Sequence, residues 1–465
     1  MSAKPKLIMN QDQKNNMSSL SLFASKSSEL SGEIIIPGDK SISHRCIILS
    51  SLAIGESKII GLLNSSDTNC TINSMKSLGS CIDLNSNYEC TINGIGIGSL
   101  KQPEKPLDFG NSGTAARLIL GLVSTYPIIT NFIGDESLSQ RPMKRVTEPL
   151  IDFGANFNLR NSEFLPIEVK GAEHPIPITH EMKVPSAQVK SAIMLAGLNT
   201  PGITTVIEKE RTRDHTETLF KYYGYEINLE EKGGKNYISF EGQKVLNPVN
   251  INIPGDPSSA AYPLVAGLIC KNSNIKIKNV LLNPTRDGIY KCLDDMGANI
   301  IYSNKKNEAG EITYDIEVSS STLNSIDVPA HRAPSMIDDY PILAVAASVA
   351  NGTSIFRGLS ELKVKESNRL LGIYNFLSKN GIDTCIEGNN LIIKGNTEGP
   401  KGGALVETNM DHRIAMSAII LGMVSYEPIK VDDTEIIKTS FPDFIKLMKK
   451  LGAKLSEKIW LLLLQ

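Results

Sequence analysis

One unit of roughly 70–80 residues is written six times along this 465-residue chain, and tandem copies constrain a fold more than any single motif does. Each copy opens on a stretch rich in Pro, Gly, Ser, Asp or Asn that breaks into a small-apolar helical pattern. A turn, a β-branched strand, a charged segment, a second helix ending in Gly and more strand complete it. The openings are PGDKSISHR (Pro37–Arg45), GNSGTAAR (Gly110–Arg117), PSAQVKSA (Pro185–Ala192), PGDPSSAAY (Pro254–Tyr262), APSMIDDYP (Ala333–Pro341) and NMDHRIAMS (Asn409–Ser417). The closing glycines are Gly79, Gly154, Gly224, Gly297, Gly381 and Gly452, spaced by 75, 70, 73, 84 and 71 residues. Helix starts present free N–H groups and partial positive charge. Six of them facing one another would make an anion site.

Three copies per half predict two domains, where length alone suggests about three. Helices rich in Ala, Ser and Gly, apolar on all sides, belong at a domain centre with sheets outside. In the first copy the pattern predicts a helix through Ile47–Ala53 ended by Gly55, a strand over Lys58–Leu63 and a second helix over Asp67–Leu78. The seam is expected near Leu246–Pro254, with Gly32–Pro37 as a strand crossing to the other domain. The expected organisation is a polar N-terminal arm at 1–20, one discontinuous domain at 21–38 plus 253–465, and the other at 39–252.

A net charge of −2 excludes bulk attraction to nucleic acid or membrane, so any anion recognition must be local. Seven cysteines without a CxxC predict buried, reduced thiols. Met1–Ser31 lacks both a signal-peptide core and the Arg of a transit peptide, and Trp460–Leu464 is too short to span a bilayer. A cytoplasmic protein is expected.

The residues able to carry chemistry sit at the openings. Lys40, Ser41 and Arg45 bring an amine, a hydroxyl and a guanidinium to one helix start, with Ser41 and Arg45 on one face; this suits phosphate or carboxylate. Ser186, Gln188 and Lys190 open the third helix. Arg141 precedes a Pro, where a lone Arg is more often a surface charge. His215, between Asp214 and Thr216, reads as structural before it reads as a base. Asp338 and Asp339 precede an apolar helix, and ELKVKESNR supplies Lys365, Glu366 and Arg369, with Lys365 and Arg369 four apart on one predicted helical face. A carboxylate among cations is held ionised, as a base or proton shuttle requires. His412 and Arg413 mark the sixth start. Neither HExxH nor a Cys/His cluster supports a metal site, and no P-loop or GxSxG string is present.

These strings, together with GDESLSQRPM, RDHTE, ELKVKESNR, DHRIAM and FPDF, resemble in order the 5-enolpyruvylshikimate-3-phosphate synthases, over Pro37–Phe444. The wording is similar to the bacterial class II branch. The resemblance implies a two-domain inside-out α/β barrel of six βαβαββ units, three per domain. It implies a transfer of the enolpyruvyl group of phosphoenolpyruvate to the 5-hydroxyl of shikimate 3-phosphate, without metal or organic cofactor, in a monomer that glyphosate inhibits. By the same resemblance, shikimate 3-phosphate meets Lys40, Ser41, Arg45, Ser186, Gln188, Arg213, Asp338 and Lys365. Phosphoenolpyruvate meets Lys40, Gly113, Arg141, Gln188, Arg369 and Arg413. Asp338 is the implied base toward the hydroxyl, and Glu366, assisted by Lys40, handles the methylene proton. Copy four brings no charged group to either ligand.

Three positions depart from patterns seen in the family, two of them from class I. Ala187 replaces a Ser, Thr439 stands where class I has Lys, beside Lys438, and Gly113 stands where some glyphosate-tolerant class II enzymes have Ala. The UDP-N-acetylglucosamine enolpyruvyl transferases share the implied fold and donor. Their reactive Cys would fall within Gly134–Met143, yet no Cys lies between Cys90 and Cys270. A non-catalytic repeat scaffold would have lost the charges at the helix starts, and they are present.

Overall fold

Each copy supplies one inner and one outer helix. In the computed structural model, which describes residues 20–85 and 89–458, the inner helices are α1 (Lys40–Leu52), α3 (Gly113–Val123), α5 (Ala187–Leu198), α7 (Pro257–Ile269), α9 (Tyr340–Ser348) and α11 (His412–Gly422). The outer helices are α2 (Ser66–Ser77), α4 (Lys144–Ile151), α6 (His215–Tyr222), α8 (Gly288–Asp295), α10 (Arg369–Lys379) and α12 (Phe444–Lys450). Small residues let the inner helices touch. A Cβ on Gly121 of α3 would lie 2.2 Å from the Ala192 carbonyl oxygen of α5, so only Gly permits that approach. All six closing glycines have positive φ, from 75° to 109°. After α2, α6, α8, α10 and α12 the paired Schellman bonds follow, as in Ser80 N–H to Met75 O and Gly79 N–H to Lys76 O.

Six four-stranded sheets surround the helices, and each has one parallel pair followed by two antiparallel pairs. In Phe164–Lys170 the side chains of Leu165, Ile167 and Val169 point inward and alternate with exposed Pro166, Glu168 and Lys170. Three sheets borrow a strand. The first copy takes Asn250–Asn252 as its parallel edge, and the fourth takes Ser31–Ile35. Leu22–Ser25 completes the sixth sheet between Ile429–Val431 and Lys454–Ser456. Two separate cores result. One gathers Leu22–Ile36 with apolar residues from Ala260 to Leu455, and the other runs from Ile42 to Ile253 with Leu281. The six-unit α/β architecture with helices inside is the one expected.

Details differ from the sequence reading. α1 passes directly into the strand Ile54–Ile60, so Gly55 lies inside that strand with φ +122° and its Cβ position 3.1 Å from Pro248. Cys46, Cys90, Cys270 and Cys292 are buried, whereas Cys81 and Cys385 are exposed and Cys70 is half-buried. Cys81 and Cys385 occupy outward positions of strands whose alternate residues face the core. Most of the polar arm and Trp460–Leu464 lie outside the described residues.

Candidate active site

The six inner-helix starts meet at one cleft of about 400 Å³, lined by residues from both halves of the chain. Their N-caps are Asp39, Ser112, Ser186, Asp256, Asp339 and Asp411. Asp39, Asp256 and Asp411 accept their own helices' N–H groups at 2.7–3.1 Å from Ile42, Ser258, Ser259 and Arg413. Those starts are thus answered by buried carboxylates. The positive charge of the cleft comes from Lys and Arg side chains more than from helix ends.

Every residue that the resemblance assigns to a substrate or a proton lines this cleft except Arg369, whereas Lys190, Asp339 and His412, also named at the helix starts, do not. Lys190 is paired with Glu208 at 3.1 Å and Glu217 at 2.6 Å. On α1, Lys40 Nζ lies 3.0 Å from Asp67, while Arg45 donates to Ser41 O, Thr216 Oγ1 and Ser191 Oγ at 2.6–2.8 Å. Burial lowers the Arg45 guanidinium to about 10. Gln188 accepts from Arg117 at 2.9 Å and donates to Thr114 at 3.0 Å, and Ser186 caps α5. Arg141 is not a surface charge: it is 6% exposed, bound to Asn111 O at 3.2 Å and Ser137 Oγ at 3.0 Å. The local reading failed there because one of its partners, Asn111, comes from the glycine-rich turn thirty residues earlier.

The two halves meet through charges. Arg213 reaches Asp338 at 2.7 Å, Arg141 reaches Glu366 at 3.9 Å, and Arg145 reaches Glu361 at 3.1 Å. Asp338 also holds Arg369 at 3.1 Å and Lys365 at 3.5 Å. Arg369 is fully buried behind the cleft, with Asp411 at 2.8 Å and Glu366 in close contact. Lys365 and Arg369 do not share a helical face, since α10 begins only at Arg369 after the Asn368 cap. They converge because both reach Asp338.

Burial alone would raise the Asp338 carboxyl, but Lys365, Arg213, Arg413 and Arg369 together hold it well below its usual range. For Glu366 burial is likewise outweighed, by Arg369, Arg141 and His412. Burial lowers Lys365 against the opposing pull of Asp338. Both carboxyls are therefore ionised in the folded protein. Depressed folded values add stability above the ordinary carboxyl values of 3.8 and 4.5, and that stability is lost as pH falls through the folded values. The ligand-free protein should accordingly lose thermal midpoint steeply below about pH 4. A midpoint unchanged from pH 7 to 3 would contradict this.

Some lining residues escaped the sequence reading. Arg117 is buried without an ion-pair partner among the described residues, and burial lowers it to about 9. It lies four residues after Gly113 on the same helix, which was the available signal. Copy four does contribute charge, through Asp256 and Arg286. Asp256 was findable as the counterpart of Asp39 and Asp411. Arg286 follows a strand instead of opening an inner helix, so nothing local marked it. His215 is structural as expected, with Nδ1 2.7 Å from Glu311 Oε1. Lys438 pairs with Glu435 at 2.6 Å and lines no part of the cleft, as is also true of Thr439.

The family model described as EPSP synthase (3-phosphoshikimate 1-carboxyvinyltransferase) matches residues 24–448. A 3-phosphoshikimate 1-carboxyvinyltransferase from a Chelativorans species is 50% identical over 437 residues, 93% of this chain and 97% of the relative. One from Paramagnetospirillum magneticum is 49% identical over 436 residues, 94% of this chain and 98% of the relative. The solved EPSP synthase of Acinetobacter baumannii superposes with a TM-score of 0.83 at 36% identity, covering 94% of this chain and 99% of that one. The enolpyruvyl transferase NikO of Streptomyces tendae, 16% identical with a TM-score of 0.75 and covering 94% of this chain and 99% of its own, shares the fold. The likeness holds at half identity along more than nine-tenths of both chains, and the chain belongs to the EPSP synthase family.

Proposed function

We propose that this cleft transfers the enolpyruvyl group of phosphoenolpyruvate to the 5-hydroxyl of shikimate 3-phosphate, releasing phosphate, on the route to aromatic amino acids. The observation that carries the reading is the pair of ionised carboxylates, Asp338 and Glu366, set among cations from both halves in one cleft. Shikimate 3-phosphate would occupy Lys40, Ser41, Arg45, Ser186, Gln188, Arg213 and Lys365, with Asp338 at its 5-hydroxyl. Phosphoenolpyruvate would meet Lys40, Arg141, Gln188 and Arg413 beside Gly113. Arg369 acts from behind, through Asp338 and Glu366.

The ligands' own anions then do chemical work. Phosphate and carboxylate groups that take Arg213, Lys365 and Arg141 withdraw those cations from Asp338 and Glu366, and both carboxyls rise toward protonation. Asp338 becomes a stronger base and accepts the 5-hydroxyl proton as the oxygen attacks the central carbon of phosphoenolpyruvate. Glu366 becomes able to carry the proton that the methylene carbon gains, with Lys40 as the assisting donor. In the second step the methyl group returns that proton to Glu366 as the C–O bond to phosphate breaks, and the departing phosphate, which keeps the bonding pair, takes up the proton held by Asp338. Proton transfer of this kind contributes about 10²–10⁴-fold, so alignment of two anions in a water-poor cleft must supply the remainder.

We assign 39–252 and 21–38 plus 253–465 as the two closing bodies, because the contacts Arg213–Asp338, Arg141–Glu366 and Arg145–Glu361 join them across the cleft. A cytoplasmic monomer fits this reading. Among the described residues no helix is long and apolar enough to cross a membrane. No cysteine lines the cleft, which disfavours the UDP-N-acetylglucosamine reaction.

Phosphate release should require both substrates, and glyphosate should compete with phosphoenolpyruvate. A Cβ on Gly113 would lie 2.8 Å from Arg117 Nη1 and 3.2 Å from Arg141 Nη1. Gly113→Ala should therefore weaken glyphosate by roughly tenfold or more and raise the KM for phosphoenolpyruvate by less, since overpacking costs about 1–3 kcal/mol. Absence of phosphate release from the wild type rejects the function. Unchanged inhibition of Gly113→Ala rejects the placement of the donor.

A further inference from the structure

At the cleft, which Asp256 and Arg286 help to line, the chain crosses twice between the halves, at Ile36–Asp39 and at Ile253–Asp256. The two crossings hold each other: Asp39 N–H donates to Pro254 O at 2.7 Å, and Asp256 N–H donates to Pro37 O at 3.0 Å. Each ends in the Asp that caps the next inner helix, Asp39 for α1 and Asp256 for α7. The second cap also serves the first helix, because Asp256 Oδ2 accepts the Lys40 backbone N–H at 3.1 Å. Two carboxylates are thus buried side by side at the point where Lys40 leaves the backbone.

Arg286 lies between them, 2% exposed. Its Nη1 donates to Asp39 Oδ2 at 3.0 Å and lies 3.3 Å from His215 Nε2. Its Nη2 donates to Ser258 Oγ at 3.1 Å and lies 3.5 Å from Asp256 Oδ1. We propose that Arg286 is a positioning residue for the reaction: by clamping the caps of α1 and α7 together it sets the place of Lys40 between the two substrates. The fork geometry of a guanidinium is what the job requires, since one planar group must answer two acceptors on opposite sides. Deeper along α1, Arg45 has its own anchors in Thr216 and Ser191, so loss of Arg286 falls mainly on the first turn.

This inference rests on the role given to Lys40 above, and the test separates the two. Arg286→Met, Arg286→Lys and Lys40→Met are compared by steady-state phosphate release, with active sites counted by calorimetric titration of shikimate 3-phosphate. A displacement of about 1 Å can cost on the order of 10²-fold. Arg286→Met should thus keep one binding site per chain and a shikimate 3-phosphate KM within about threefold, yet lose roughly tenfold to 10²-fold in kcat per site. Arg286→Lys, which neutralises the carboxylates but cannot span them, should recover part of that loss. Wild-type kcat per site in a titratable Arg286→Met overturns the proposal, as does a loss seen only as fewer titratable sites. If Arg286→Met does not fold, Arg286→Lys carries the test alone, and an undiminished kcat per site in it overturns the proposal. Wild-type activity of Lys40→Met instead rejects the reading of Lys40.

Discussion

Asp338→Asn and Glu366→Ala are each expected to lower kcat by roughly 10²–10⁴-fold, the span that general acid–base groups contribute. The fuller signature is that substrate binding should not weaken. In the free protein Asp338 competes with substrate for Arg213 and Lys365. Asn of the same size leaves those cations less engaged, so the KM for shikimate 3-phosphate should hold or fall while kcat collapses. Glu366→Ala frees Arg141 in the same sense. A loss of kcat at unchanged KM marks an interaction made only in the transition state, and a loss of kcat with a lower KM marks in addition a competition removed from the ground state. Steady-state phosphate release decides it: either variant within about tenfold of wild-type kcat would fall short of acid–base catalysis and remove that residue from the mechanism.

Arg369→Met is the substitution expected to cost most in stability. The guanidinium is fully buried and is shared by Asp411, Asp338 and Glu366. Its removal strands the Asp411 carboxylate, which is itself buried and also caps α11 through the Arg413 N–H at 3.0 Å. Ser367 Oγ donates to the same carboxylate at 3.0 Å, so the loop carrying Lys365 and Glu366 loosens with it. Breaking a buried ion pair by removing one partner costs about 3–5 kcal/mol. Denaturant titration of the ligand-free protein should show a loss of that size, and Arg369→Lys, with one point charge for three acceptors, should recover only part. A change under about 1 kcal/mol would mean that the carboxylates find other partners or protonate without penalty.

The fold was legible because its signals are local and repeated. Positive-φ glycines after the outer helices, apolar inner helices and alternating strands each follow from the residues within one unit. The site was half legible. Polar residues at helix starts pointed to Lys40, Gln188, Asp338 and Arg413, and the resemblance assigned their roles. Arg141 was misread locally and Arg286 was passed over, because their partners lie at Asn111 and Asp39, far along the chain. Lys365 and Arg369 were brought together by the wrong route, a helix that does not yet exist at Lys365.

By itself the sequence determined six copies of one unit, helices buried at the centre and a polar start on each, since periodicity and capping act over a few residues. It did not determine that three of those starts spend their N–H groups on buried carboxylates, leaving the charge of the cleft to side chains. Nor did it show that copy four supplies Asp256 and Arg286 at the crossing between the halves. Those outcomes belong to the tertiary structure alone. A charge's effect depends on which other charges burial brings within a few ångströms, and here decisive partners of Asp338, Glu366 and Asp39 come from the opposite half of the chain.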